Sequence, residues 1–460
     1  MWIRIGAVSL TLFSLLCISA TQAGNGASGE IPVGEEAKGT RSYDDYEKPA
    51  TCRQCHPLIY AQWERSMMAQ AFTHHWDEIE YFELAVKHAE LDPKFKPVAD
   101  GCNGCHAPIA FLAGDVPPPR PEKKSRANEG VSCDLCHTIS GYHEDRLFNF
   151  QWISQPGRTK FGARGGENSP AHDLVARPEI TSAKYCATCH NEKSPWGVYV
   201  KGTYNEWLEG PYSKEKVQCH TCHMPAGPGI RAITDGKMIP DMRHHLFHGG
   251  HVPGKTNGAI DVVLHSDTTE AEPGEPVVFT VHLFNQKAGH KIPTGSVEDR
   301  LLYLHVEAVD SAGKKYPLKV DKKGFQGEEW TIADSNAVAY QDLKYVMGLS
   351  EDFKGLPRDG VAEGDRIFRM PYFTEKGEMT ICQWNTAKFG VDYRIGPREN
   401  KIETFTWLLP DTLPPGPLTV HASLNYQLLV RPVAEFLKVP QEESADRIIN
   451  SGTVAIEVLP

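Results

Sequence analysis

The sequence lacks several features that would place it in common classes of protein. Basic residues are outnumbered, with 48 Lys and Arg against 59 Asp and Glu, and the formal net charge of -11 argues against nucleic acid as a partner. Beyond the N-terminus, no apolar stretch is long enough for a membrane-spanning helix. No acid–base or nucleophile constellation stands out, which argues against an enzyme that works through such side chains.

Cysteine is almost absent outside one motif. Ten of the 12 cysteines fall in five copies of Cys-x-x-Cys-His, the attachment signature of c-type haem. The ten are Cys52, Cys55, Cys102, Cys105, Cys133, Cys136, Cys186, Cys189, Cys219 and Cys222. The histidines that would bind iron from the same side are His56, His106, His137, His190 and His223. Cysteine pairs also make zinc sites, but here His follows every pair. The sequence therefore predicts five covalently attached c-type haems.

The N-terminus predicts where the protein resides. Residues 1–23 resemble a secretory signal peptide, with Arg4, an apolar run over 5–18 and a small-residue cleavage site at 21–23. The run is too short to span a bilayer comfortably. We therefore expect a periplasmic or extracellular protein whose mature chain has no transmembrane helix, which agrees with haem attachment outside the cytoplasm.

Composition divides the remaining chain into segments. Residues 24–50 are predicted to form a flexible leader, and residues 51–254 hold all five haem motifs. Helical spacing occurs over 61–72 and 79–91. After Gly258, short alternating segments with turn signals predict strands at 260–265, 277–284, 301–309, 402–409 and 418–424.

This pattern predicts a multidomain α+β fold: a loop-rich, short-helix multihaem domain followed by an immunoglobulin-like β-sandwich over 258–460. Residues 324–400 are less regular and are interpreted as an insertion. The spacing of the motifs alternates long, short, long, short, which suggests a duplicated unit pairing the second motif with the third and the fourth with the fifth. Cys382 is expected to be a buried, inert thiol.

Residues flanking the motifs resemble the multihaem cytochromes related to cytochrome c-554. The resemblance covers residues 51–254 and is carried by Cys-Arg-Gln-Cys-His, Glu-Gly-Val-Ser-Cys-Asp-Leu-Cys-His, Tyr-Cys-Ala-Thr-Cys-His and Val-Gln-Cys-His-Thr-Cys-His-Met-Pro. The later part, with Ala-Gly-His-Lys-Ile-Pro-Thr-Gly, is similar to a sandwich domain appended to some members. The resemblance implies an electron carrier, although the broader superfamily includes redox enzymes that act on nitrogen and sulfur compounds.

Function depends on the second face of each iron, because a second strong ligand gives an electron-transfer centre and an open face lets substrate bind. The resemblance implies that His172 and His245 are such distal ligands. His290, between a glycine and a proline turn, is a further candidate that would connect the sandwich to a haem. One of His74 and His75 is also expected to bind iron, and His75 is taken as the ligand.

Met68 marks a departure from the family pattern. It occupies the position of a usual histidine in Trp-x-x-Ser-x-His-Ala, where this chain has Trp-Glu-Arg-Ser-Met-Met-Ala. Either Met68 binds iron through its thioether, which would raise the potential of that haem, or it is a packing residue. Both interpretations stay open from the sequence.

The preferred hypothesis is an exported pentahaem cytochrome that carries electrons in a respiratory pathway. Redox proteins, basic or membrane-associated, are the expected partners. The first alternative is a reductase or oxidase of a small nitrogen or sulfur compound at one open haem. The second is a subunit of an extracellular conductive assembly.

Overall fold

The computed structural model describes residues 37–166, 169–324 and 327–460. The predicted signal peptide and the leader up to residue 36 lie outside the described residues. Residues 37–48, the remainder of the predicted leader, pack against the motif-bearing region: Tyr46 is only 3% exposed, and the Tyr43 hydroxyl donates to Asp115 at 2.8 Å. Within the described chain, no helix combines the length and the apolar composition needed to cross a bilayer.

The region that carries the motifs contains short helices. They are α1 (Pro49–Arg53), α2 (Pro57–Trp63), α3 (His75–Glu80), α4 (Val86–Leu91), α5 (Lys96–His106), α6 (Pro108–Leu112), α7 (Cys133–Thr138), α8 (Ala183–Ala187), α9 (Thr203–Glu209), α10 (Pro211–Lys214), α11 (Cys219–His223) and α12 (Pro253–Thr256). A π-helical turn, Tyr81–Ala85, joins α3 to α4, so the helix predicted over 79–91 is continuous. The helix predicted over 61–72 ends at Trp63, and turns follow it.

Four two-stranded sheets lie among these helices. They are β1 (Ile139–Tyr142) with β2 (Trp152–Ser154), β3 (Thr159–Gly162) with β4 (Asp173–Ala176), β5 (Glu192–Lys193) with β6 (Tyr199–Lys201), and β7 (Ala226–Ile230) with β8 (Met238–Arg243). The pair β3–β4 is parallel and the others are antiparallel. Single-turn 3-10 helices occupy Tyr43–Asp45, Pro93–Phe95, Pro121–Lys123, Arg126–Glu129 and Pro178–Thr181.

The C-terminal region is built from two main sheets. Its strands are β9 (Asp261–Ser266), β10 (Glu270–Ala271), β11 (Pro276–Phe284), β12 (Leu301–Val309), β13 (Lys315–Pro317), β14 (Val338–Ala339), β15 (Leu356–Pro357), β16 (Arg366–Ile367), β17 (Tyr372–Phe373), β18 (Lys388–Phe389), β19 (Asn400–Leu408), β20 (Gly416–Gln427) and β21 (Arg447–Val458). One sheet has the order β19-β11-β9, and the other has the order β10-β21-β20-β12-β13 with β16 on β12.

A buried apolar layer holds these sheets together. Alternate residues of β11 are fully buried, as Phe279, Val281 and Leu283 show, and Leu304 and Val420 of the larger sheet belong to the same cluster. Strict alternation is expected where one face of a strand packs and the other meets solvent. The five predicted strands therefore match β9, β11, β12, β19 and β20, and the fold is multidomain α+β.

Shorter elements make up the rest of the C-terminal region. The pairs β14–β15 and β17–β18 fall in the stretch predicted to be an insertion, as do α13 (Leu343–Val346) and the 3-10 helices Glu329–Thr331 and Gln383–Asn385. A last helix, α14 (Arg431–Leu437), and the 3-10 helix Gln441–Glu443 connect β20 to β21. Cys382 is fully buried, and burial raises the pKa of its thiol, as expected of an inert cysteine.

A buried ionic network connects the motif region to the C-terminal region. The carboxylate of Glu206 on α9 accepts hydrogen bonds from Arg394, from the Thr294 hydroxyl at 2.7 Å and from the backbone N–H of Lys291 at 3.2 Å. Arg394 also pairs with Asp392 at 2.8 Å. The side chains of Arg394 and Glu206 are 4% and 8% exposed. Both charges have therefore lost their contact with water, and their mutual attraction compensates for that loss.

Replacing Glu206 should therefore destabilise the protein strongly. We expect Glu206→Gln to lower the free energy of unfolding by about 3 kcal/mol, because it leaves the Arg394 charge buried with one carboxylate fewer. Denaturant unfolding of the holoprotein, followed by tryptophan fluorescence, measures this. Glu209→Gln on the exposed side of the same helix is the control, and equal effects of the two variants would contradict the assignment.

Asp342 should make stability depend on pH. Burial raises the pKa of its carboxyl to about 6, and hydrogen bonds from Thr380 and Asn385 offset only part of this increase. These two donors reach Oδ2 at 2.5 and 3.0 Å, while Oδ1 is buried without a hydrogen bond. The folded protein therefore favours the protonated acid, and the stabilisation that protonation provides is lost as pH rises from about 4 to about 6.

We expect Asp342→Asn to remove that pH dependence. The stability of the variant relative to the wild type should rise between pH 4 and pH 7, by on the order of 2–3 kcal/mol, because only the wild type must bury a charge at pH 7. Thermal unfolding of both proteins at the two pH values measures the difference. A constant difference across this range would show that Asp342 is ionised throughout.

Candidate haem-binding sites

Each haem motif lies on or beside one turn of helix. Three of the motifs end or fill a helix, namely α5, α7 and α11, and the other two begin in α1 and α8. In those two motifs, the backbone N–H of His56 donates to the carbonyl of Cys52 at 2.9 Å, and that of His190 donates to the carbonyl of Cys186 at 2.8 Å. One helical turn brings the thiols at positions i and i+3 to the same face, as attachment to one porphyrin requires.

Four of the five motif histidines are oriented by the backbone. Their Nδ1 atoms donate to carbonyl oxygens at 2.6–2.7 Å, in the pairs His56–Arg231, His106–Ala71, His137–Phe161 and His223–His248. A ring that donates from Nδ1 has its lone pair on Nε2, which is then free to bind a metal. The side chains therefore have the tautomer that haem iron needs.

Three motif histidines face a second imidazole ring. The ring centres of His56 and His172 are 6.2 Å apart and nearly parallel, at 27°. His137 and His245 are likewise 6.2 Å apart at 28°, and His223 and His290 are 6.3 Å apart at 20°. The sequence singled out His172, His245 and His290 as candidate distal ligands without assigning them to motifs. The structure places them opposite the histidines of the first, third and fifth motifs, respectively.

The spacing of these pairs fits a metal ion held between them. A nitrogen ligand lies about 2 Å from its metal, and the ring centre lies roughly 1 Å farther, so two rings on opposite sides of one ion are about 6 Å apart. Rings in direct contact would be closer. The distal rings also donate from Nδ1 to carbonyls, as His290 does to Lys291 at 2.8 Å and His245 to Arg243 at 3.1 Å. These residues fit haem iron with two axial imidazoles.

Burial keeps several of these rings neutral. It lowers the pKa of His223 and of His245 to about 4, and it lowers the pKa of His137 and His190. A metal binds the unprotonated imidazole, so neutral rings do not have to lose a proton first.

Sheets and loops carry the distal histidines. His172 directly precedes β4, whose partner β3 provides the carbonyl of Phe161 for His137. His245 follows β8, and its backbone N–H donates to the side-chain oxygen of Gln62 on α2 at 2.8 Å. His290 follows β11 of the C-terminal region, and the Glu206 network holds the next residue, Lys291. The C-terminal region therefore contributes directly to the fifth motif.

The second and fourth motifs differ from the other three. Among the ring contacts of the described residues, neither His106 nor His190 faces another imidazole at the separation seen in the three pairs. His75, which was expected to bind iron, stacks on His74 at 4.7 Å instead. The structure does not place His75 opposite a motif histidine, so its role as an iron ligand stays a prediction.

Met68 lies in the wall of the third motif's pocket. The lining of this pocket includes Met68, Trp63, Cys136, His137 and His245. His137 and His245 face each other across it, so imidazoles take both axial directions. This favours the interpretation of Met68 as a packing residue.

The cysteine sulfurs reveal which motifs are neighbours. The thiols of three cysteine pairs lie close enough to shift each other's pKa: Cys52 with Cys133, Cys105 with Cys189, and Cys186 with Cys219. Cys136 also lies within electrostatic range of Cys189. The first motif thus adjoins the third, and the fourth adjoins the second, third and fifth. The fourth motif adjoins the fifth and the second adjoins the fourth, whereas the duplicated unit suggested by the motif spacing stays a prediction.

Several residues that position the site were not found from the sequence. The carbonyls of Ala71, Phe161, Arg231 and His248 could not be recognised, because a backbone acceptor leaves no trace in the residue type. Glu206 had a weak signal, since it lies in a Tyr-Asn-Glu-Trp segment beside a motif. Its partner Arg394 is distant in sequence and gave no such signal.

Comparisons with known proteins agree with this geometry. Residues 51–138 match the family model described as cytochrome c554 and c-prime. The fold is similar to the crystal structure of a penta-heme cytochrome c552 from Thermochromatium tepidum, with a TM-score of 0.63 and 22% identity over 90% of this chain and 99% of that one. No curated protein sequence matches the chain.

One further solved structure is a partial match. Spo0M, a sporulation control protein from Bacillus subtilis, aligns with 44% of this chain and 50% of its own at 15% identity, with a TM-score of 0.17. A score this low carries no argument about the fold. The family match covers residues 51–138, and the fold shared with the Thermochromatium protein extends over the motif region and the β-rich C-terminal region. Both agree with the motif geometry, so the chain is similar to multihaem cytochromes of the c type.

Proposed function

We propose that this cytochrome binds five c-type haems and carries electrons between redox proteins of a respiratory pathway outside the cytoplasm. The observation that carries the proposal is the set of three imidazole pairs 6.2–6.3 Å apart. Two strong axial ligands leave no coordination position for a substrate. Three of the five sites are therefore suited to electron transfer alone.

The neighbouring sulfurs support a continuous route. When haem is attached, the iron supplies the electron by cycling between its ferric and ferrous states. The order of the sites is set by the protein. Cys52 lies beside Cys133, the Tyr185 hydroxyl before the fourth motif donates to the Cys136 carbonyl of the third at 2.7 Å, and Cys186 lies beside Cys219. These contacts support the sequence first, third, fourth, fifth. Electrons would enter and leave at the two ends of that sequence.

The predicted signal peptide supports export. Covalent attachment of c-type haem takes place outside the cytoplasm, and five attachment motifs in one chain require that environment. The acidic net charge of -11 favours a partner with a basic docking surface. Periplasmic or extracellular location and the identity of the partners belong to the proposal.

A ligand exchange at His245 tests the electron-transfer assignment. We expect His245→Met to raise the midpoint potential of one haem by on the order of 100 mV, within the roughly 0.8 V range that axial ligands span, because a thioether stabilises the ferrous iron. Redox titration of the holoprotein measures the potentials, and the pyridine haemochrome assay should give five haems per chain before and after the change.

The neighbouring residue provides a matched control. His244 has a weak contact to the Pro228 carbonyl at 3.4 Å and faces no motif histidine, so His244→Met should leave every potential unchanged. If His245→Met also leaves all potentials unchanged, His245 is not an axial ligand and the proposed pairing with His137 is incorrect.

A second function is favoured by the second and fourth motifs. Their histidines, His106 and His190, face no second imidazole among the described rings, so one of these irons is a candidate for an open face. An open iron would allow the protein to act on a small nitrogen or sulfur compound. The buried carboxylates of Glu80, Glu298 and Asp299 carry oxygens without hydrogen bonds, and the electrostatic contact of Glu80 with Cys102 brings one of them near the second motif.

Low-temperature EPR of the oxidised holoprotein distinguishes the two functions. We expect at least one high-spin signal that changes when nitrite or hydroxylamine is added, and low-spin signals from the three paired sites that do not change. Five low-spin signals that do not change with nitrite or hydroxylamine would exclude an open iron and leave electron transfer as the function.

A further inference from the structure

Three imidazoles converge on one buried carboxylate away from the paired haem ligands. The Nε2 atoms of His75 and His74 lie 2.9 and 3.2 Å from Oε1 of Glu443, and Nε2 of His251 lies 3.9 Å from Oε2. The ligand atoms of His74, His251 and Glu443 all fall within 4.8 Å of one another. Distances of this size are those between neighbouring ligands on one small metal ion.

Several polar atoms of the cluster are buried without a hydrogen bond. They are Nε2 of His75, Nε2 of His251 and Oε2 of Glu443. The side chains of His74 and Glu443 are 9% and 7% exposed. A buried polar atom left without a partner costs about 1–3 kcal/mol. Nε2 of His75 has an ionic contact with Oε1 of Glu443 at 2.9 Å, but Nε2 of His251 and Oε2 of Glu443 are 3.9 Å apart, and these two atoms indicate a ligand.

The ring geometry separates this cluster from the haem ligands. The rings of His74 and His75 are 4.7 Å apart, and those of His74 and His251 are 4.9 Å apart. The ring pairs that would hold haem iron are 6.2–6.3 Å apart. The shorter separation matches ligands that meet one ion at adjacent positions, and no motif histidine belongs to the set.

The cluster is assembled from three distant segments. His74 and His75 form the start of α3, and Trp76 of this helix is fixed by Arg300 at 5.3 Å and lies 6.1 Å from the His251 ring. His251 follows β8 in the motif region. Glu443 ends a 3-10 helix of the C-terminal region, where its carbonyl accepts the N–H of Leu429 at 3.0 Å. A bound ion would therefore connect the two regions.

We propose that His74, His75, His251 and Glu443 form a binding site for one divalent zinc ion, separate from the haems. Three imidazole nitrogens and one carboxylate are typical ligands of tetrahedral zinc, and the set fills all four positions, as in a structural site. Magnesium and calcium are excluded by chemistry because they take oxygen ligands. The ion holds the start of α3 and His251 against the last turn before β21.

Direct binding of zinc to the holoprotein tests the site. After removal of loosely bound metal with a chelator, equilibrium dialysis against Zn²⁺ with elemental analysis should give one zinc per chain in addition to the haem iron. Glu443→Gln and His251→Gln should each weaken zinc binding at least about tenfold, because each removes one ligand. Glu442→Gln, which changes the exposed neighbouring carboxylate, is the matched control and should bind zinc as the wild type does.

Thermal unfolding provides a second measurement. Zinc should raise the unfolding temperature of the wild type and of Glu442→Gln but not of Glu443→Gln, since only a folded site binds the ion. If a variant fails to fold, the wild-type stoichiometry and the zinc-dependent shift still decide the matter.

Two outcomes would overturn the proposal. One is that the wild-type protein binds no zinc, or that Glu442→Gln weakens zinc binding as much as Glu443→Gln does. The other is a His75→Gln variant with a new high-spin EPR signal, which would make His75 an axial haem ligand. The haem count is measured separately, so failure of the zinc site leaves the proposed electron-transfer function untouched.

Discussion

The arrangement of this protein depends on one hydrogen bond that recurs, from the Nδ1 of an axial histidine to a backbone carbonyl. It determines which ring nitrogen carries the proton and fixes the direction of Nε2. The acceptor of His56 is Arg231, which is far along the chain, and the acceptor of His223 is His248. Each site is therefore complete only when remote loops have reached their final positions, and this explains why a region with so few long helices has a defined structure.

The C-terminal region contributes residues directly to the haem-motif region. It supplies His290 to the fifth motif, and it contributes Arg394 to the ionic network around Glu206. It also supplies Glu443, which faces three histidines of the motif region. Alternate apolar residues of β11 are buried between the two main sheets. His290 lies on the loop that follows this strand, so the packing of the sheets helps to set its distance from the His223 ring.

Local patterns in the sequence predicted much of this structure. The attachment motifs and the alternating strands were accessible because each has a typical spacing. His172 and His245 were identified through the family resemblance and His290 through its neighbouring turn, and all three lie opposite motif histidines. The strand β21 was missed because polar residues interrupt its apolar pattern. The histidine cluster at Glu443 could not be predicted, since its members lie far apart in sequence and only tertiary packing brings them together.

The position of the fourth motif has a consequence for robustness. Its two sulfurs lie near those of the second, third and fifth motifs, so in the proposed electron route it is the branch point. Loss of the haem at the second motif would remove one branch of that route and leave the rest connected. Loss of the haem at the fourth would divide the route into separate parts.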